Sequence, residues 1–134
     1  MDQALIDLVW DRAGHRCEYC KLHQNYSWLK FEIDHITAKK HRGATVAANL
    51  ALSCYYCNSY KGANIAGRDP DTGKVTPLFN PRSHKWSHHF RWNGPVLIGR
   101  PAVGRTTIAV LNINEPEAVA TRSALIAADL FPPE

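Results

Sequence analysis

The sequence lacks any apolar run long enough to cross a bilayer, so it does not read as a helical membrane protein. Its opening residues, Met1-Asp2-Gln3-Ala4, show no basic start, no apolar core and no cleavage site. A cytoplasmic setting is the expectation. Cysteine is scarce, at four in 134 residues, and four thiols in a reducing compartment favour a metal over disulfides. Repeats, linkers and low-complexity runs are missing as well, so residues 1–134 read as one domain. A domain of this size buries a modest core, for which a bound metal is a useful staple.

Acidic residues are absent from two long stretches. Between Thr72 and Asn114 there are none, against Lys74, Arg82, Lys85, Arg91, Arg100 and Arg105. Between His35 and Gly62 there are again none, against Lys39, Lys40, Arg42 and Lys61. The net charge of +4 is thus unevenly spread, which suits a polyanion with a phosphate backbone. A solvated basic surface would show the same bias, and charge alone does not choose.

What the chain does have begins with an amphipathic helix over residues 2–13. Leu5, Ile6, Val9 and Ala13 share a face, and Gly14 is placed to end it. Cys17-Glu18-Tyr19-Cys20 follows, with the spacing that lets one tight turn aim two sulfurs at a tetrahedral ion. A redox dithiol has the same spacing. Repetition at Cys54-Tyr55-Tyr56-Cys57 points to structural zinc held by Cys17, Cys20, Cys54 and Cys57. Residues 22–29 read as a loop. Phe31–Ile36 reads as a strand with Phe31, Ile33 and His35 on one face and Glu32 and Asp34 on the other. A basic loop, Thr37–Ala48, leads to a returning strand over Asn49–Ser53, then to a helix from Cys54 to about Lys61.

The pair Asp34-His35, the central Asn49 and the ending Cys54-Tyr55-Tyr56-Cys57-Asn58-Ser59-Tyr60-Lys61-Gly62, framed by the upstream Cys17–Cys20 pair, resemble the zinc-bearing branch of the HNH endonuclease family. The likeness covers roughly residues 12–70. It implies an α+β fold with a ββα-metal (His-Me finger) core and structural zinc. An N-terminal helix precedes that core, and a C-terminal extension over about 71–134 ends in a helix. It further implies a divalent-metal-dependent DNA endonuclease that nicks one strand per centre. In that reading His35 is the general base, neutral enough near its ordinary pKa to take a proton from water. Asp34 ligates the catalytic ion and Asn58 supplies a second oxygen, a hard donor set that suits Mg²⁺ or Mn²⁺. Asn49 is expected to pin the loop and so orient His35. Lys39, Lys40, Arg42, Lys61, Arg82 and Lys85 are candidates for contacting DNA, which the reading takes as double-stranded. No helix-turn-helix or other base-reading module is visible, so weak sequence preference is expected. The oligomeric state stays open.

Other readings of the same residues carry weight. A histidine on a strand is usually packed or solvated, and a lone asparagine usually caps or turns. Four cysteines alone describe a zinc-stabilised nucleic-acid-binding module without catalysis. Joint occurrence in this order lifts the nuclease reading above these.

Beyond the finger, Asp71-Thr72-Gly73 reads as a tight turn. The stretch Asn80-Pro81-Arg82 to Trp92 resembles the tail of bacterial HNH proteins of similar size. Its His84, His88 and His89 could hold a second metal, though no cysteine or acid accompanies them, and Trp86, Phe90 and Trp92 read as core. Val96–Ile98 reads as a strand, and Gly104–Leu111 as a short helix or strand. A last helix is expected with Asn114 as N-cap, Pro116 in its first turn and Glu117 at N3. Val119, Ser123, Ile126 and Leu130 would form its packing stripe.

Overall fold

The computed structural model describes residues Met1–Pro133. The chain divides into two compact units: Met1–Ile65 with Asn80–His84, and Ala66–Phe79 with the chain from Lys85 onward. Each is taken by itself.

The first unit opens with α1 (Gln3–Arg12), whose N-cap Asp2 accepts a 2.8 Å hydrogen bond from the Leu5 amide. Val9 is the residue it buries, and Trp10 stacks on Phe31. Gly14, at φ +62°, carries the chain out of the helix as expected. The 22–29 stretch is a loop containing one 3-10 turn, Gln24–Tyr26. Strand β1 (Glu32–His35) pairs antiparallel with β2 (Leu50–Ser53), with Asp34 opposite Ala51 and His35 opposite Leu50. All four β2 residues are buried. The connecting loop carries two more 3-10 turns, Lys39–His41 and Ala47–Asn49. Next, α2 (Tyr55–Lys61) starts from Cys54, whose sulfur caps it, and stops at Gly62.

Strand β1 is turned differently from what its apolar residues suggest. Asp34 is 4% exposed, while Ile33 and His35 are half-buried. A carboxylate takes the inward position because buried donors await it there, as described below.

The second unit holds two hairpins and three helices. Strands β3 (Ala66–Arg68) and β4 (Val75–Pro77) flank a turn closed by Asp69, whose carboxylate accepts from the Asp71 amide and the Thr72 hydroxyl. After α3 (Trp86–His89), β5 (Phe90–Asn93) and β6 (Val96–Gly99) pair antiparallel. Phe90 is buried and touches Phe79 and Trp86, and Trp92 meets Phe131, so these rings are core. Gly104–Leu111 resolves as a helix, α4 (Ala102–Val110). It packs so closely that a Cβ on Gly104 would stand 2.1 Å from the His89 carbonyl oxygen.

The last helix, α5 (Pro116–Ala127), departs from expectation twice. Its N-cap is Glu115, whose side chain accepts from the Ala118 amide; Asn114 instead clamps both backbone groups of Leu97 at 2.8 Å. Both residues can cap, and the tertiary clamp decides between them. Its buried residue is Arg122, which donates to the Pro95 and Ile113 carbonyls and lies over the Trp92 ring, whereas Leu130 is 43% exposed. Carbonyls left over at strand and helix ends need a donor more than the core needs another aliphatic chain. Among the described residues, no helix is long and apolar enough to cross a membrane.

Candidate functional site

Two tight turns present the cysteines. Each is closed by an amide reaching back to a sulfur, Cys20 N to Cys17 Sγ and Cys57 N to Cys54 Sγ, both at 3.4 Å. The four Sγ atoms all lie within 4.8 Å of one another, with Cys20 and Cys54 3.8 Å apart. Zinc–sulfur bonds of about 2.3 Å in a tetrahedron give sulfur–sulfur edges of about 3.8 Å. The set fits a metal ion and is compatible with structural zinc. Burial pushes the Cys17 thiol up, but hydrogen bonds from Cys20, Cys54 and Cys57 outweigh it and bring the group well down. Those of Cys54 and Cys57 are pushed up, first by their bonds to Cys17. A metal bound here would displace the protons these thiols carry, since the thiolate is the ligand form.

The two residues inside the first turn reach into the hairpin. The Glu18 amide and carboxylate bond the Leu52 carbonyl (2.9 Å) and amide (2.8 Å), and the other Glu18 oxygen pairs with Arg82. Tyr19 is fully buried, and its hydroxyl donates to Asp34 Oδ2 at 2.7 Å. Burial, helped by the Asp34 charge, holds the Tyr19 phenol well above its ordinary pKa, so it remains a donor.

Asp34 has a second partner. Lys61 Nζ, from the last turn of α2, lies 3.2 Å from Oδ1 and 3.1 Å from Oδ2, and it also donates to the His35 and Ile36 carbonyls. Burial pushes the Asp34 carboxyl up, against the pull of Lys61 and Tyr19. Asn58 is half-buried on α2, one turn before Lys61.

His35 closes the strand, half-buried, with Nε2 2.9 Å from the Thr45 hydroxyl. Burial, then the Lys39 charge, lowers its pKa, which favours neutral imidazole. The loop that carries Thr45 is tied by Asn49. Its Oδ1 accepts from the Thr37 amide, and its Nδ2 donates to the Thr37 and Ala44 carbonyls, all at 2.9 Å. The loop closes so tightly that a Cβ on Gly43 would lie 1.6 Å from the Thr37 oxygen.

Residues 17–64 match the sequence model described as HNH endonuclease. The matched stretch takes in both cysteine turns, the β1–β2 hairpin and α2. The chain is also similar to the Septu protein PtuB of Bacillus thuringiensis, at 27% identity over 107 residues. That alignment covers 78% of this chain and 39% of the relative, so the chain spans well under half of that protein's length. No solved structure matches the chain significantly.

Within the first unit, sequence reasoning placed two side chains wrongly. Lys61, expected to face nucleic acid, is 1% exposed and pairs with Asp34. Arg82 is half-buried and pairs with Glu18 of the first cysteine turn. Each has a buried carboxylate within reach, a charge that would be stranded without its cation. Lys39, Lys40, Arg42 and, in the second unit, Lys85 are exposed. His84, His88 and His89 form no metal-binding group; among the described residues only the cysteines do. Missed altogether were Glu18, Tyr19 and Thr45. The first two fill the unspecified positions of a Cys-x-x-Cys turn, where spacing carries no information about them.

Proposed function

We propose that the HNH segment is a divalent-metal-dependent DNA endonuclease that nicks one strand per centre. His35 is the general base. With its proton on Nε2 and donated to Thr45, the Nδ1 lone pair is left to accept a proton from water, and no described protein group bonds Nδ1. Asn49 acts through the loop, holding Thr45 and hence the imidazole. Asp34 and Asn58 supply the hard oxygen donors for Mg²⁺ or Mn²⁺, an ion that would relieve charge on the phosphate and on the departing oxygen. The donor chemistry fits such an ion, since the Tyr19 and Lys61 contacts leave acceptor capacity on Asp34 Oδ1. Exposed Lys39, Lys40 and Arg42 are the side chains of this unit that we assign to the DNA backbone.

The observation that carries this reading is the anchoring of His35, through Thr45, by a loop that Asn49 ties with three bonds. The test is supercoiled plasmid with Mg²⁺ or Mn²⁺, with and without EDTA. The parental protein should relax it in a metal-dependent way. His35→Ala should cut about 10²–10⁴-fold more slowly with zinc content unchanged. Parental rates from that variant would remove His35 from the role.

One observation favours a binding-only alternative: the Lys61 ammonium already neutralises Asp34. Plasmid binding without relaxation under any divalent ion would select it.

A further inference from the structure

We propose that Tyr19 is a positioning residue for the divalent-ion site, its hydroxyl fixing the Asp34 carboxylate in the orientation that receives the ion. This rests on the reading of Asp34 as a ligand given above. Tyr19 sits between two cysteines of the zinc set, in a turn whose backbone is pinned on both sides. Glu18 N bonds the Leu52 carbonyl at 2.9 Å, and Cys20 N bonds Cys17 Sγ at 3.4 Å. Its side chain has no rotational freedom to spare at 0% exposure. The 2.7 Å bond to Oδ2 falls in the range of a charge-assisted contact.

Core filling does not account for the hydroxyl. A phenylalanine would occupy the same space, and a buried hydroxyl is costly unless it is bonded. The bond it makes goes to the carboxylate beside His35. Lys61 approaches the same carboxylate from α2 at 3.2 and 3.1 Å. Two donors from two elements therefore stop the carboxylate from rotating, while about one of its four acceptor positions, on Oδ1, stays available. Ligand carboxylates elsewhere depend on such supporting bonds, whose loss costs about 10–100-fold in metal affinity. The first cysteine turn thus has two tasks: its thiols hold zinc, and the ring between them aims a ligand at the second ion.

The experiment compares the zinc-loaded full chain with Tyr19→Phe and Asp34→Asn, titrating Mn²⁺ and reading the free ion by electron paramagnetic resonance. Zinc content and plasmid cleavage are measured in parallel. Tyr19→Phe should keep its zinc, bind Mn²⁺ about 10–100-fold more weakly, and recover its cleavage rate as Mn²⁺ is raised. Asp34→Asn should lose the binding. Three results would each overturn the proposal: a parental dissociation constant in Tyr19→Phe, a rate defect that saturating Mn²⁺ leaves in place, or loss of zinc from a variant that keeps the ring. Parental protein that binds Mn²⁺ and cuts beside an unchanged Tyr19→Phe sinks this inference alone. Parental protein that does neither takes the endonuclease reading down with it.

Discussion

Two aspartates, one in each compact unit, are covered by protein and paired with a cation, and they differ in nearly everything else. Asp69 collects two bonds from Arg105 (3.0 and 2.8 Å), one from the Asp71 amide and one from the Thr72 hydroxyl. Its acceptor capacity is full, and the Arg105 bonds lead in holding its pKa well below the carboxylate range. Asp34 has one hydroxyl and one ammonium, and burial leads in pushing its pKa up. A saturated carboxylate closes a turn. An unsaturated one, beside a histidine with an open nitrogen, has something left to bind. The contrast separates a structural acid from a candidate ligand without appeal to the family.

The harshest way to break the comparison is to remove the metal. Structural zinc contributes about 10–16 kcal/mol of apparent binding free energy in small zinc folds, and binding of that kind is folding free energy. Chelation should therefore release the cysteine turns and with them Tyr19 and Asp34. The Asp69 turn takes its bonds from its own hairpin and from α4. In hydrogen exchange, peptides over residues 15–62 should lose protection, while those over 66–79 and 102–110 keep theirs. Full protection of the first group after verified zinc loss would mean that zinc is not what holds the hairpin.

A milder break is Lys61→Met. Removing one partner of a buried pair costs about 3–5 kcal/mol, because the remaining charge is stranded. Asp34 would be that charge. The cost should shrink as the pH falls and Asp34 takes up a proton, for which its raised pKa prepares it. Arg105→Met should cost less, since Asp69 keeps its amide and hydroxyl donors. Urea unfolding at two pH values measures both, and equal losses would erase the distinction drawn here.

Much of the first unit was legible because its signals are local. Cysteine spacing gave the metal set, Gly14 gave the end of α1, and the 31–36 and 49–53 runs gave the hairpin. Asn49 was expected to pin its loop, and it does bond the loop on both sides of Gly43. The inward turn of Asp34 was illegible, since it depends on Lys61, 27 residues on, and on Tyr19, 15 residues back. Strand alternation says which residues share a face; it does not say which face is buried when the buried face is polar. The same failure recurs at Arg122, whose carbonyl partners lie on other elements. Asn114 and Glu115 are both competent caps, and only the clamp on Leu97 tells them apart.

The smallest expected effect tests the Asp69 side of the comparison by pH. Its folded pKa is depressed, so its contribution to stability is fully present above the unfolded value, 3.8, and is lost as pH falls through the folded one. Asp34 has the opposite sign. Its folded pKa is raised, so acid relieves a penalty there and does not remove a benefit. Part of the parental loss of stability below about pH 5 therefore belongs to Asp69. Asp69→Asn should start less stable at neutral pH and flatten the acid limb, because an amide has no proton to take up. Asp34→Asn should leave that limb as steep or steeper. Acid unfolding followed by tryptophan fluorescence reads both slopes. If the two variants change the acid limb in the same direction, the two carboxylates are not the opposites that their hydrogen bonds describe.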